Sequence, residues 1–237
     1  MRYADMRSFL DWIAAQDYGT TPTLPTLYST GPLKSYKRTY GKVQAQHPAR
    51  RLNRHQAFTQ LIGACQDGTA IGLRDEVAFR LGLSGMRVGE IITLTVADCA
   101  NLPELRWTGK SRTPRRITAG EALCAAIRAL IAVLPDRSPQ ARLILPGGTG
   151  TSTNLSQTRT TCSTLTLRKA LLRRADAAGL GHIAPHDLRR TAASILHNAK
   201  TAEGGHLFDL LDIQRVLGHA DPATTMKCYI EQDCDAT

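Results

Sequence analysis

Three residue types able to act together on a phosphodiester recur toward the end of this chain: His186-Asp-Leu-Arg189, then Leu217-Gly-His219, then Tyr229. Arginine carries a planar fork of donors that stays charged at any working pH. Histidine exchanges a proton near neutrality, and a phenol can attack phosphorus. Upstream, Ser84-Gly-Met-Arg87-Val-Gly-Glu90 places an arginine just after a glycine break and three residues before a carboxylate, so that the pair shares a helix face. Lys110, in Gly109-Lys-Ser-Arg-Thr-Pro114, is the only lysine between Lys42 and Lys169. A loop ammonium can hand a proton to a departing oxygen, which a guanidinium with its much higher pKa does not readily do. Taken singly, each group has an ordinary structural explanation: a surface ion pair, a helix cap, a solvated hairpin tip, a hydrophobic anchor.

The elements that must position these groups follow from spacing. Pro185 sets up a helix start, which puts His186 and Arg189 one turn apart on one face, with Arg190 pointing elsewhere. A helix is predicted over Leu207 to Leu217, ended by Gly218 as a left-handed cap that leaves His219 just beyond it. Asp221 then caps, and Pro222 begins a last short helix leading to Tyr229.

Earlier in the chain, Asn53 is a cap for a helix carrying Phe58, Leu61, Ile62 and Cys65, and Leu73, Val77, Ala78 and Leu81 mark the next one. Arg87 then opens a helix whose Val88, Ile91 and Ile92 face inward. Leu105 to Thr108 and Arg115 to Thr118 read as strands of a hairpin with Lys110 at its tip. A helix from Glu121 to Leu134 follows, then a short buried strand over Arg142 to Pro146 and a loop over Gly147 to Gly150. The segment from Leu165 to Ala178 is predicted helical, with Leu165, Leu171, Leu172 and Ala175 inward and Arg168, Lys169, Arg173 and Arg174 outward. The pattern is mainly α with a small antiparallel β-hairpin, an α+β class. Before it, Met6, Phe9, Leu10, Ile13 and Ala14 suggest one amphipathic helix, and Gly19 to Leu27 a Thr/Pro-rich linker.

Composition narrows the partner. The 237 residues carry 30 Lys plus Arg against 20 Asp plus Glu, a net charge of +10, which favours a polyanion. Between Gly31 and Arg54 seven basic residues and two tyrosines occur with no acid, and Arg159 to Arg190 holds seven basic residues against Asp176 and Asp187. Both stretches suit phosphate contacts and point to nucleic acid ahead of a membrane surface. No apolar stretch is long enough to span a bilayer and the first residues lack the apolar core of a signal peptide, so the expected location is intracellular. The six cysteines form no C-x-x-C pair and lack histidines at ligand spacing, arguing against a zinc site and a disulfide framework.

The order Arg87, Lys110, His186-x-x-Arg189, Gly218-His219, Tyr229, with hydrophobic helices between, resembles the tyrosine recombinase family of the phage integrase type over about residues 50 to 230. The resemblance implies a catalytic domain over 50–237, preceded by a shortened core-binding region with a basic linker over 1–49. It also implies a tyrosine-type DNA strand transferase with no metal or other cofactor. In that reading Arg87 and Arg189 clamp the scissile phosphate, His219 adds a hydrogen bond, and Tyr229 attacks to form a 3′-phosphotyrosyl link. His186 helps to take the phenol's proton, Lys110 gives one to the departing 5′ hydroxyl, and Glu90 supports the site. Synapsis as a homotetramer on DNA and accessory DNA-bending or directionality proteins are further implications.

Two departures from the family pattern stand out. Tyr229 comes ten positions after His219, where relatives commonly have nine, and one extra residue in a regular helix would turn the phenol by about 100°. The region before the catalytic domain is about half the usual length. Three readings follow: an active site-specific recombinase, a truncated or degenerate relative that binds DNA without completing recombination, and a strand-passing enzyme like a type IB topoisomerase. The Gly-His pattern and the lack of a large enclosing clamp disfavour the third.

Overall fold

Local side-chain caps fix where the helices begin. Asn53 and Gln56 exchange side-chain-to-backbone hydrogen bonds (Gln56 N to Asn53 Oδ1, 2.8 Å; Asn53 N to Gln56 Oε1, 3.1 Å), a reciprocal cap that starts the first helical stretch. That stretch is wound as a π-helix over Gln56–Leu61, which buries Ala57 and Leu61 and leaves Phe58 39% exposed rather than on the apolar face. The computed structural model describes residues 50–109, 114–148, 153–201 and 204–217. They fall within the compact unit Ala49–Thr237. The predicted first helix, most of the basic linker, the 149–150 end of the glycine loop and the helix leading to Tyr229 lie outside the described residues.

Helix α1, Ala70–Leu83, starts where Thr69 Oγ1 accepts from Gly72 N at 2.8 Å. It is buried nearly all round, as a helix at the centre of a fold must be. The short α2, Val88–Ile91, follows after Gly85, whose φ of +90° turns the chain sharply. Strands β1, Glu104–Thr108, and β2, Pro114–Thr118, pair antiparallel with Trp107 opposite Arg115. Then come α3, Glu121–Val133, α4, Thr164–Ala177, α5, Pro185–His197, and α6, Leu210–Leu217. The class is the expected one, mainly helical with one small antiparallel hairpin. One continuous core runs from Leu52 to Leu188, and α1 packs against both α3 and α5. A second small cluster, Ala193, Ile213 and Leu217, joins α5 to α6.

Several expectations are corrected. The residues Arg142 to Pro146 make no strand: Arg142 forms one isolated bridge with Thr95, while Leu143, Ile144 and Leu145 are buried as irregular chain against the core. The expected helix from Leu207 begins at Leu210, because Asp209 caps it by accepting from Asp212 N at 2.7 Å. On α4 the inward face is Leu167, Ala170, Leu171 and Ala175, whereas Leu165 and Leu172 are 56% and 37% exposed.

Arg174, expected outward, turns in. Its Nε donates to Asp75 Oδ2 at 3.1 Å and its Nη1 to Asp67 Oδ2 at 2.7 Å. Asp75 also accepts from Arg74 Nε at 2.9 Å, and both Arg74 and Asp75 are fully buried. A buried carboxylate flanked by two guanidiniums needs each of its partners, since ionised groups out of water are tolerated only when paired and hydrogen-bonded.

Candidate active site

Arg87 sits at the N-cap of α2, so its side chain springs from the first turn instead of packing along the helix. Its amide donates to Glu90 Oε2 at 3.0 Å and its Nη1 to Glu90 Oε1 at 3.1 Å. The i,i+3 pair read from the sequence therefore exists, but it is not a surface pair: Glu90 is buried while 43% of the Arg87 side chain stays open. Burial works to raise the Glu90 carboxyl. The Arg87 amide, the charge of Arg115 and the Arg87 guanidinium outweigh it and hold that carboxyl below the usual range.

Helix α5 supplies the second arginine. Pro185 occupies its first turn and Asp187 caps it, accepting from Ala184 N at 2.9 Å. His186 and Arg189 are thus set one turn apart, as expected. Arg189 is only 3% exposed, and it donates from Nη1 to the Gly85 carbonyl and from Nη2 to the Leu217 carbonyl. One side chain so joins the turn before Arg87, the His186 face of α5 and the end of α6. Arg190 leaves this face and pairs with Asp187 at 3.0 Å.

Arg87, Glu90, Thr93, Thr108, His186 and Arg189 line a cleft of about 780 Å³. The His186 imidazole has its pKa lowered, first by burial and then by the charges of Arg190 and Arg189, against the opposing pull of Asp187. A neutral imidazole beside two guanidiniums can accept a proton while they bind an anion. The cleft reaches Thr108 and Gly109, after which Lys110 is next in sequence. Lys110, His219 and Tyr229 lie outside the described residues, as do Gly218 and the two residues expected to shape the last helix, Asp221 and Pro222.

Sequence reasoning passed over Arg115 and Asp187. Arg115 was one of two adjacent arginines in a short strand, and only strand pairing selects it: it stands opposite Trp107 and turns inward, while Arg116 opposite Arg106 stays exposed. Asp187 was visible only as an acid in a basic stretch. It accepts from the Arg50 amide at 3.3 Å, and next to that contact the Leu52 amide donates to Thr191 Oγ1 at 2.9 Å, so the start of the domain is fastened to α5.

The fold has counterparts. The fold is similar to that of XerH site-specific recombinase in a post-cleavage complex with a palindromic difH substrate (TM-score 0.60, 17% identity, 98% of this chain and 69% of that one). The chain is 30% identical over 176 residues to tyrosine recombinase XerC of Corynebacterium glutamicum, covering 73% of this chain and 52% of the relative. With XerC of Corynebacterium efficiens the identity is 26% over 227 residues, 94% of this chain and 64% of the relative. The chain thus spans roughly half to two thirds of the length of these curated relatives. The sequence profile of the phage integrase family matches residues 50–235. A match over nearly all of the unit that carries Arg87, His186 and Arg189 makes this chain a member of the phage integrase family of tyrosine recombinases.

Proposed function

We propose that this protein is a site-specific DNA recombinase that cleaves and rejoins double-stranded DNA through a 3′-phosphotyrosyl intermediate. The observation that carries the reading is the convergence of Arg87, His186 and Arg189 on one cleft, from helices almost a hundred residues apart in sequence. Two guanidiniums directed at one cleft suit a phosphate whose charge grows in a pentacoordinate transition state. The Tyr229 oxygen attacks phosphorus, its proton passes toward His186, the bond to the 5′ oxygen breaks, and Lys110 protonates that oxygen. His219 adds a donor to the phosphate. Religation reverses these steps on a new strand, so no external energy source is consumed.

The net charge of +10 supports DNA as the partner. Family membership supports assembly as a homotetramer on DNA, accessory DNA-bending proteins, and action at the nucleoid in the cytoplasm. Residues 1–49 are assigned to a core-binding region with a basic linker, and 50–237 to the catalytic domain.

The test uses nicked duplexes tiled across the DNA flanking the gene, incubated with the full chain and resolved on denaturing gels. The expected result is a covalent adduct that Tyr229→Phe abolishes. Retention of a duplex without any adduct would instead establish a DNA-binding relative that does not recombine.

A further inference from the structure

Arg115 belongs to none of the positions that the sequence marks for chemistry, yet it contacts β1, the Glu90 carboxylate on α2 and the last turn of α6. It lies on β2, five residues after Lys110 in the sequence. Its Nη1 donates to Glu90 Oε1 at 3.2 Å, the same oxygen that accepts from Arg87 Nη1 at 3.1 Å. Its Nη2 donates to the carbonyl of Val216 at 2.9 Å, in the last turn of α6 two residues before Gly218-His219. The guanidinium carbon stands 5.3 Å from the centroid of the Trp107 ring. Trp107 is buried, and its indole nitrogen finds no hydrogen-bond partner among the described residues.

We infer that Arg115 is a positioning residue, which locks the β1–β2 hairpin, the Glu90–Arg87 pair and the last turn of α6 into one relative placement. This rests on the recombinase reading for its catalytic consequence but not for its structural one. Three features single Arg115 out from an ordinary buried ion pair. Its side chain is 13% exposed against 43% for Arg87, so it is the fixed partner of Glu90 and Arg87 the open one. With two arginines on one carboxylate, Glu90 is shared and does not neutralise Arg87 alone. Successive carbonyls at the end of α6, those of Val216 and Leu217, go to Arg115 and Arg189 respectively, so the helix end is held from two sides.

The experiment compares wild type, Arg115→Gln and Arg115→Lys in the full chain by two readouts. The first is the rate of adduct formation on nicked duplex at saturating protein, beside the Kd for the same duplex. Arg115→Gln is expected to slow cleavage about 10- to 100-fold, the cost of a small misplacement of reacting groups, with the Kd within about threefold. Arg115→Lys keeps the charge without the fork and recovers part of the rate. The second readout is amide hydrogen exchange without DNA. Faster exchange in Arg115→Gln at Glu90, Ile91, Val216 and Leu217 together, with α1 and α3 unchanged, is expected. Cleavage at the wild-type rate in Arg115→Gln overturns the inference. So does unchanged exchange at those four amides, or a uniform rise through the core accompanied by a weaker Kd. If wild type forms no adduct while the four amides still respond, the recombinase reading fails and the positioning role of Arg115 stands.

Discussion

Arg189 donates to the carbonyl of Gly85 across 104 residues of sequence, which ties the α5 arginine to the turn that presents Arg87. That turn depends on Gly85, whose φ is +90° and whose missing Cβ would stand 3.1 Å from Leu217 Cδ2. In Gly85→Ala the left-handed backbone costs about 1–2 kcal/mol, and the added methyl presses on the residue whose carbonyl Arg189 also holds. A lowered midpoint in urea at unchanged slope is expected; a midpoint equal to wild type would show that the turn relaxes freely.

Arg87 and Arg189, the two arginines proposed to hold the phosphate, should separate under conservative exchange. Either Arg87→Lys or Arg189→Lys is expected to slow adduct formation by about 10²–10³-fold, the usual cost of losing one donor to a developing oxyanion. Stability divides them. Arg189 is buried with two backbone carbonyls as acceptors, so its replacement leaves an acceptor unmet at about 1–3 kcal/mol, whereas the half-open Arg87 should change stability by roughly 0.5 kcal/mol or less. Equal losses in thermal melts of the two variants would contradict this division.

A pH profile tests His186. Burial and the charges of Arg190 and Arg189 lower its pKa from the ordinary 6.5, so the neutral, proton-accepting form persists to lower pH than for a free histidine. The acid limb of the cleavage rate should fall below pH 6.5, and Arg190→Gln should move it upward by removing a nearby positive charge. Stability has a matching sign: as pH falls through 6.5 the unfolded chain binds this proton first, so folding weakens there and levels off once the folded state is protonated too. A wild-type limb at or above 6.5 would refute the assignment.

Much of this was legible in the sequence, for identifiable reasons. Pro185, the alternation in β1 and β2 and the apolar spacing of α3 are local signals, and they placed these elements to within a residue or so. The His186-to-Arg189 spacing is set by helix geometry alone. What escaped was decided by tertiary neighbours. Arg174 and Arg168 look alike in the chain, and only the arrival of Asp67 and Asp75 beside one of them turns it inward. Leu165 and Leu172 fit a helical stripe, but the stripe that faces the core is the neighbouring one through Leu167, Ala170 and Leu171. Arg115 and Arg116 differ only in which side of a strand they occupy, and no local signal says which side meets Glu90.

The buried carboxylate of Asp75 gives a stability prediction far from the cleft. Asp75→Asn leaves Arg74 and Arg174 without their shared anion and should cost about 3–5 kcal/mol, measured in urea near neutral pH. A loss under about 1 kcal/mol would show that water enters to solvate the two guanidiniums.

The contacts from Arg50 to Asp187 and from Leu52 to Thr191 close the domain on itself over separations of 137 and 139 residues. During synthesis the opening residues of the unit leave the ribosome long before the helix that receives them. At about 5–20 residues per second, roughly 7–28 s pass before Thr191 is even made. The strip that begins the domain must therefore wait without its partner, and the His186–Arg189 helix completes its N-terminal contacts only as one of the last events of folding. A ribosome-bound chain halted before Asp187 would hold Arg87 and Glu90 but neither Arg189 nor the two acceptors that close the domain.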